Sequence, residues 1–217
     1  GAAVKSDADG RWAVSVRTPA GSYEPQRITF ASGDRVTFDR VLIGEVWFAG
    51  GQSNMEMPLG GFWQCPVTDA NEIIARASAK SGKLHYVKIP HAAAYTPQDR
   101  TAGSWTPCTT ATAAKFTAAG YFFAEMLNDV LSVPVGIIDC SWGGSRVESW
   151  MSREVLSGYS DIDLTEEGIS RVAQHLRPMV MYNAMLRPVA GYTVRGFLWY
   201  QGESNVGRYM DRSEERR

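Results

Sequence analysis

Three short apolar runs in this chain each end in a polar loop that carries glycine. Glu45-Val46-Trp47-Phe48-Ala49 leads into Gly50-Gly51-Gln52-Ser53-Asn54-Met55, and the run from Val135 to Asp139 leads into Cys140-Ser141-Trp142-Gly143-Gly144. Gly196-Phe197-Leu198-Trp199-Tyr200 leads into Gln201-Gly202-Glu203-Ser204-Asn205. Apolar runs of this length, bounded by turn residues, read as buried strands. Helical stretches separate them: Phe116, Ala119, Gly120, Phe123, Leu127 and Val130 fall near helical spacing until Pro134 breaks the run, and Tyr182, Met185 and Leu186 suit a short helix. Strands alternating with helices imply an α/β fold, a three-layer sandwich around a parallel sheet. In such sheets ligands bind beyond the carboxyl ends of the strands, so the three loops should converge there.

The first forty residues have a different rhythm. Trp12, Val14 and Val16 alternate with small or polar residues, and Ile28-Thr29-Phe30 and Val36-Thr37-Phe38 flank Ser32-Gly33-Asp34. These read as short strands, too few to form a stable sheet alone. The expected division is therefore residues 1–40 as the last strands of an accessory β-sandwich domain and 41–217 as the α/β domain. The latter is incomplete at its carboxyl end, because the charged text from Arg208 to Arg217 holds no further strand. An incomplete sheet would expose an apolar edge, which predicts a partner piece or self-association. The chain starts Gly1-Ala2-Ala3 without an initiator Met, as a processed or trimmed product would.

A net charge of -1 offers no basic field for nucleic acid. No apolar run approaches the roughly 20 residues needed to span a bilayer, and no signal peptide is legible. Cys65, Cys108 and Cys140 have no metal-ligand spacing, so no metal is expected, and their odd number allows at most one internal disulfide.

A serine hydroxyl becomes a nucleophile only with a base to take its proton and with donors aimed at the developing oxyanion. Ser53 follows a buried strand and two glycines that permit a sharp turn, ahead of a stretch that can open a helix. The same text also reads as a loop whose Ser caps a helix. It is not the α/β-hydrolase elbow, because Met55 stands where that motif requires Gly. Gly143 and Gly144 can bring backbone amides to an oxyanion, and Gln201 or Asn205 can add a side-chain amide; each is equally suited to an ordinary turn.

The stretch from Val46 to Met57, Ser141-Trp142-Gly143-Gly144-Ser145-Arg146-Val147-Glu148-Ser149-Trp150, and Trp199-Tyr200-Gln201-Gly202-Glu203-Ser204-Asn205 together resemble, in order, three blocks of the sialate O-acetylesterases and related carbohydrate acetylesterases of the SGNH hydrolase superfamily. Tyr182-Asn183-Ala184-Met185-Leu186-Arg187-Pro188-Val189 is similar to the segment before the third block. The resemblance implies Ser53 as nucleophile. It implies an oxyanion hole from the Ser53 amide, a Gly143 or Gly144 amide, and a side-chain amide from Gln201, which is favoured, or Asn205. Asn54, Arg146 and Glu203 are expected to support the site or bind substrate, with Glu203 a buried carboxylate that orients the site or pairs with Arg146. The family's Asp-x-x-His block is not found: His85 is expected before a strand, His91 in a loop after Pro90 and His175 in a charged segment, all as surface or structural histidines. Asp139, at a strand end, matches no catalytic position of the family.

The implied activity is cofactor-free removal of O-acetyl groups from carbohydrate, O-acetylated sialic acid first and xylan-type substrates as the alternative, in a periplasmic or secreted setting. A rival reading is a fragment that binds acetylated glycan without turnover, or that joins a partner polypeptide carrying the catalytic Asp and His. A lipase-like or peptide-directed hydrolase is disfavoured by the missing elbow and the lack of a long apolar lid.

Overall fold

In this computed structural model, which describes residues 1–208 of the 217, the chain enters its regular structure through a hairpin of β1 (Ser22–Ser32) and β2 (Asp34–Ile43). Gly33 makes the turn at φ +79°, a conformation that suits a residue without a Cβ. Thr29 and Thr37 face each other across the ladder at 3.0 Å, as do Arg27 and Asp39 at 2.5 Å. Both ends of the reading Ile28-Phe30 and Val36-Phe38 are therefore strands, longer than expected. The expected strand at Trp12 to Val16 is not formed. Alternation supplies a face but not a ladder partner, and Trp12 docks by its ring instead, 5.6 Å from Phe30. Val41 to Ile43, expected to open the α/β domain, still belong to β2.

Five further strands form one sheet: β3 (Glu45–Gly51), β4 (Leu84–Lys88), the short β5 (Thr106–Pro107), β6 (Val135–Ser141) and β7 (Gly196–Tyr200), in the order β5-β4-β6-β3-β7. All pairings are parallel except that of β5 with β4. β4 holds His85 within the strand rather than before it. β6 lies in the middle and every one of its residues is buried, which explains its apolar start from Val135 to Ile138, whereas β7, expected to be buried, lies at the sheet edge with Phe197, Trp199 and Tyr200 exposed.

Successive side chains of each strand enter opposite layers. Trp47, Ala49, Leu84, Tyr86, Val135 and Ile137 face a core built with α1 (Ser53–Glu56), α2 (Ala70–Arg76) and α3 (Ala118–Leu131). Phe48, Val87, Ile138 and Cys140 face a second core with Trp150, Met179, Met181 and Met185, joined by α4 (Arg153–Leu156) and α5 (Glu166–Ser170). The expected three-layer α/β arrangement is what the chain adopts. Tyr182–Leu186, expected as a short helix, forms a π-helical turn in the second layer. The charged stretch after Arg208, read as lacking a further strand, lies outside the described residues.

Candidate active site

Ser53 stands where β3 leaves the sheet. Gly51 reaches this point at φ +140°, and a Cβ there would lie 2.1 Å from the Tyr200 carbonyl oxygen, so only glycine lets β3 and β7 approach this closely. Main-chain bonds then stitch both neighbouring loops to the strand end: Gln52 N–H donates to Tyr200 O at 2.9 Å and Trp142 N–H to Gly51 O at 3.0 Å. The three polar loops converge as the alternation of strands and helices predicted. A Cβ built on Gly143 would sit 3.6 Å from Ser53 Cβ, so the second glycine loop lies directly against the serine. Ser53 is half-buried and is the first residue of the one-turn helix α1, with Gln52 in the cap position. Its hydroxyl is therefore not an N-cap, and among the described residues it makes no hydrogen bond.

One side of Ser53 is built from charges. Glu56, one helical turn further on, accepts the Gly143 N–H on Oε2 at 2.6 Å and the His91 Nε2 on Oε1 at 2.7 Å, with Lys88 Nζ at 3.7 Å. His91 lies flat on Trp142, ring centroids 4.2 Å apart and planes within 2°. Lys88 also reaches the fully buried Asp139 at 3.2 Å, and Ser141 Oγ donates to the same carboxylate at 2.5 Å. Burial raises the pKa of Asp139, and the Lys88 charge and the Ser141 hydroxyl oppose that shift.

The other side is built from neutral amides. Gln52 Oε1 receives three donors at 3.3 Å each, the Gln201 side chain and the Gly202 and Ser204 N–H groups. Gln201 Nε2 further donates to Ser145 O at 3.2 Å and Asn205 Oδ1 at 2.8 Å. Asn205 is buried; its oxygen also takes the Val147 N–H at 3.0 Å and its Nδ2 donates to Glu148 at 2.8 Å. Ser204 Oγ donates to Gly144 O at 3.0 Å, closing the ring around the serine.

Each residue singled out from sequence can now be located. Gly143 adjoins Ser53 but its N–H is committed to Glu56, which leaves Gly144, at φ +73°, as the donor-bearing glycine of that loop. Gln201 and Asn205 are held inside the amide lattice, not presented to an open cleft. Glu203, expected buried and near Arg146, is exposed and accepts from Asn54 Nδ2 at 2.5 Å. A loop past the end of an edge strand has no second layer to cover it, which is why that carboxylate stays solvated. Arg146 instead borders a separate cleft with Glu148, Asp161 and Asp163. Asp139 holds Lys88 and Ser141, not a histidine. No histidine is hydrogen-bonded to Ser53 among the described residues, yet two border the site. His91 does so through Glu56, and the His175 ring lies 3.3 Å from where a Cβ on Gly144 would be. His85, half-buried in β4, has its pKa lowered by desolvation. Sequence reasoning passed over Gln52, Glu56 and Lys88. The one-turn spacing of Glu56 from Ser53 was the available signal; nothing local marks Lys88, whose partners are remote in sequence.

All three cysteines are free, Cys65 exposed and Cys108 and Cys140 buried. Among the described residues no cluster of three or more His, Cys, Asp or Glu is arranged to hold a metal ion, and no helix is long and apolar enough to cross a membrane.

A profile of the family described as carbohydrate esterase, sialic acid-specific acetylesterase matches residues 43–214. Human sialate O-acetylesterase is 30% identical over 178 residues, covering 79% of this chain and 33% of its own length. The mouse enzyme of the same name is 28% identical over 206 residues, covering 79% and 37%. The chain thus spans about a third of the length of these curated relatives. The crystal structure of a carbohydrate acetylesterase from Xanthomonas citri superposes with a TM-score of 0.79 at 36% identity, over 93% of this chain and 42% of that one.

Proposed function

The chain belongs to the carbohydrate esterase family of sialic acid-specific acetylesterases, and on that premise we propose that it carries the nucleophile and oxyanion-binding portion of a serine esterase that removes O-acetyl groups from sugars. The observation that carries this reading is the contact between Ser53, whose hydroxyl is uncommitted, and the glycine loop at Gly143 and Gly144. Ser53 attacks the acetyl carbonyl, and the tetrahedral oxyanion is received by the Ser53 and Gly144 N–H groups, while Gln201 holds the neighbouring loops through Gln52 and Ser145. The sugar hydroxyl leaves, and water releases acetate from the acyl-serine. O-acetylated sialic acid is the first substrate to offer, since the human relative is named for it. Asn54 and Glu203, joined at the exposed rim, form the wall that a sugar would meet.

A base is still required, and among the described residues no histidine is hydrogen-bonded to Ser53, which favours a second reading, a glycan-binding fragment without turnover. Acetate release from an activated acetyl ester separates the two. Turnover that Ser53→Ala removes supports the esterase, after which His175→Ala and His91→Ala identify which border histidine assists. A folded chain with neither turnover nor labelling of Ser53 by a fluorophosphonate overturns the esterase reading for these residues. A partner polypeptide supplying Asp and His is tested by whether added partner restores labelling.

A further inference from the structure

We infer that Glu56 is the positioning residue of this site, gripping the Trp142–Gly143 peptide so that the next amide, that of Gly144, is the one held out for an oxyanion. The inference rests on the esterase reading above and deepens it. Its first support is a division of labour within one carboxylate. Oε2 takes the Gly143 N–H at 2.6 Å, and Oε1 takes His91 at 2.7 Å with Lys88 at 3.7 Å. The second is that the same histidine stacks in parallel on Trp142, so the residue before Gly143 is gripped by its ring while Gly143 is gripped by its N–H. Two restraints on adjacent residues define the direction of a peptide plane, which a single hydrogen bond does not. The third is placement: Glu56 shares a helical turn with Ser53, so nucleophile and glycine loop are indexed to the same rigid element.

A carboxylate this close to a developing oxyanion opposes it unless its charge is offset. Lys88 of β4 supplies that offset, shared with Asp139 of β6, while His91 from the loop after β4 donates its Nε2–H to the same carboxylate. Glu56 therefore acts through Gly143 and touches no reacting atom.

The test compares Glu56→Ala and Glu56→Gln in the full chain, with two readouts. The Gly143 amide proton, bonded to a carboxylate, is expected far downfield in an ¹⁵N-resolved spectrum; it should move upfield in Glu56→Ala and partway in Glu56→Gln. On an activated acetyl ester, Glu56→Ala should lower kcat by about 10²-fold with KM within about twofold, and Glu56→Gln should recover most of that loss. A Gly143 resonance indifferent to both substitutions, or a loss borne wholly by KM, overturns the inference. Should the wild-type chain release no acetate, the esterase reading falls by itself and the Gly143 resonance still decides this one. Should Glu56→Ala not fold, Glu56→Gln carries both readouts.

Discussion

The two flanks of Ser53 solve the same problem with opposite chemistry. Toward the Trp142 loop, the Glu56 carboxylate holds the Gly143 N–H and is itself held by Lys88 and His91, with Asp139 sharing the lysine; toward the Gln201 loop, Gln52, Gln201 and Asn205 hold the backbone with neutral amides. Amides donate and accept at once, so a lattice of them can satisfy several backbone groups without any residue carrying a net charge into the protein. Charged groups hold more strongly but must be balanced, and their balance depends on protonation. The difference predicts that the amide flank is intolerant of added charge and indifferent to pH, whereas the charged flank is the reverse.

The largest effect is expected where charge is forced into the amide flank. Asn205→Asp preserves shape but turns the donor facing Glu148 into a second carboxylate inside the protein, and should cost about 3–5 kcal/mol in urea unfolding at neutral pH. Gln52→Ala, which only removes hydrogen bonds to the neutral Gln201, Gly202 and Ser204 donors, should cost about 1–3 kcal/mol, with the same value at pH 4.5 and 7. On the charged flank, Lys88→Met leaves Asp139 buried with Ser141 alone. About 2–3 kcal/mol is expected, below the range for a fully enclosed pair because Lys88 is 37% exposed. Here pH enters. The folded pKa of Asp139 lies above its ordinary 3.8, so its stabilising contribution is full at low pH and is lost as pH rises through the folded value. Without Lys88 that pKa rises further, so the cost of Lys88→Met should shrink toward zero on acidification and grow toward neutrality. A cost for Lys88→Met that ignores pH, or one for Gln52→Ala that follows it, would collapse the distinction between the flanks. The smallest effect is Asn54→Ala at the exposed rim, below about 1 kcal/mol, seen as a small shift in the urea midpoint.

The same contrast explains what the sequence made legible. The strands β3, β6 and β7 and their glycine loops stood out because each is a short, mostly apolar run whose close exit from the sheet demands glycine, although β7, at the sheet edge, leaves Phe197, Trp199 and Tyr200 exposed. β4 was legible only as a strand starting after His85, because His85 and Lys88 interrupt its apolar run: its carboxyl end carries part of the charged flank, so residues that border the site blur the strand. The amide flank was half visible. Gln201 and Asn205 were noticed as donors, but Gln52 was read only as part of a motif, although it alone joins β3 to three groups beyond β7. Whether a side chain serves substrate or a neighbouring loop depends on partners far away in sequence, and no local pattern carries that. Trp12 to Val16 shows the converse, a legible alternation that lacked a partner strand to pair with.

The ring around Ser53 also has a history in time. Asn54 and Glu203, and Gln52 and Gln201, are separated by 149 positions, and β3 acquires β7 as a neighbour only through that closure. Closing so long a loop is entropically costly before its contacts form, and pairings this remote are slow. During synthesis the serine emerges early and must wait for the end of β7 before its amide flank exists. The amide flank around Ser53 therefore closes last, on a β4-β6-β3 seam whose parts are all synthesised before it.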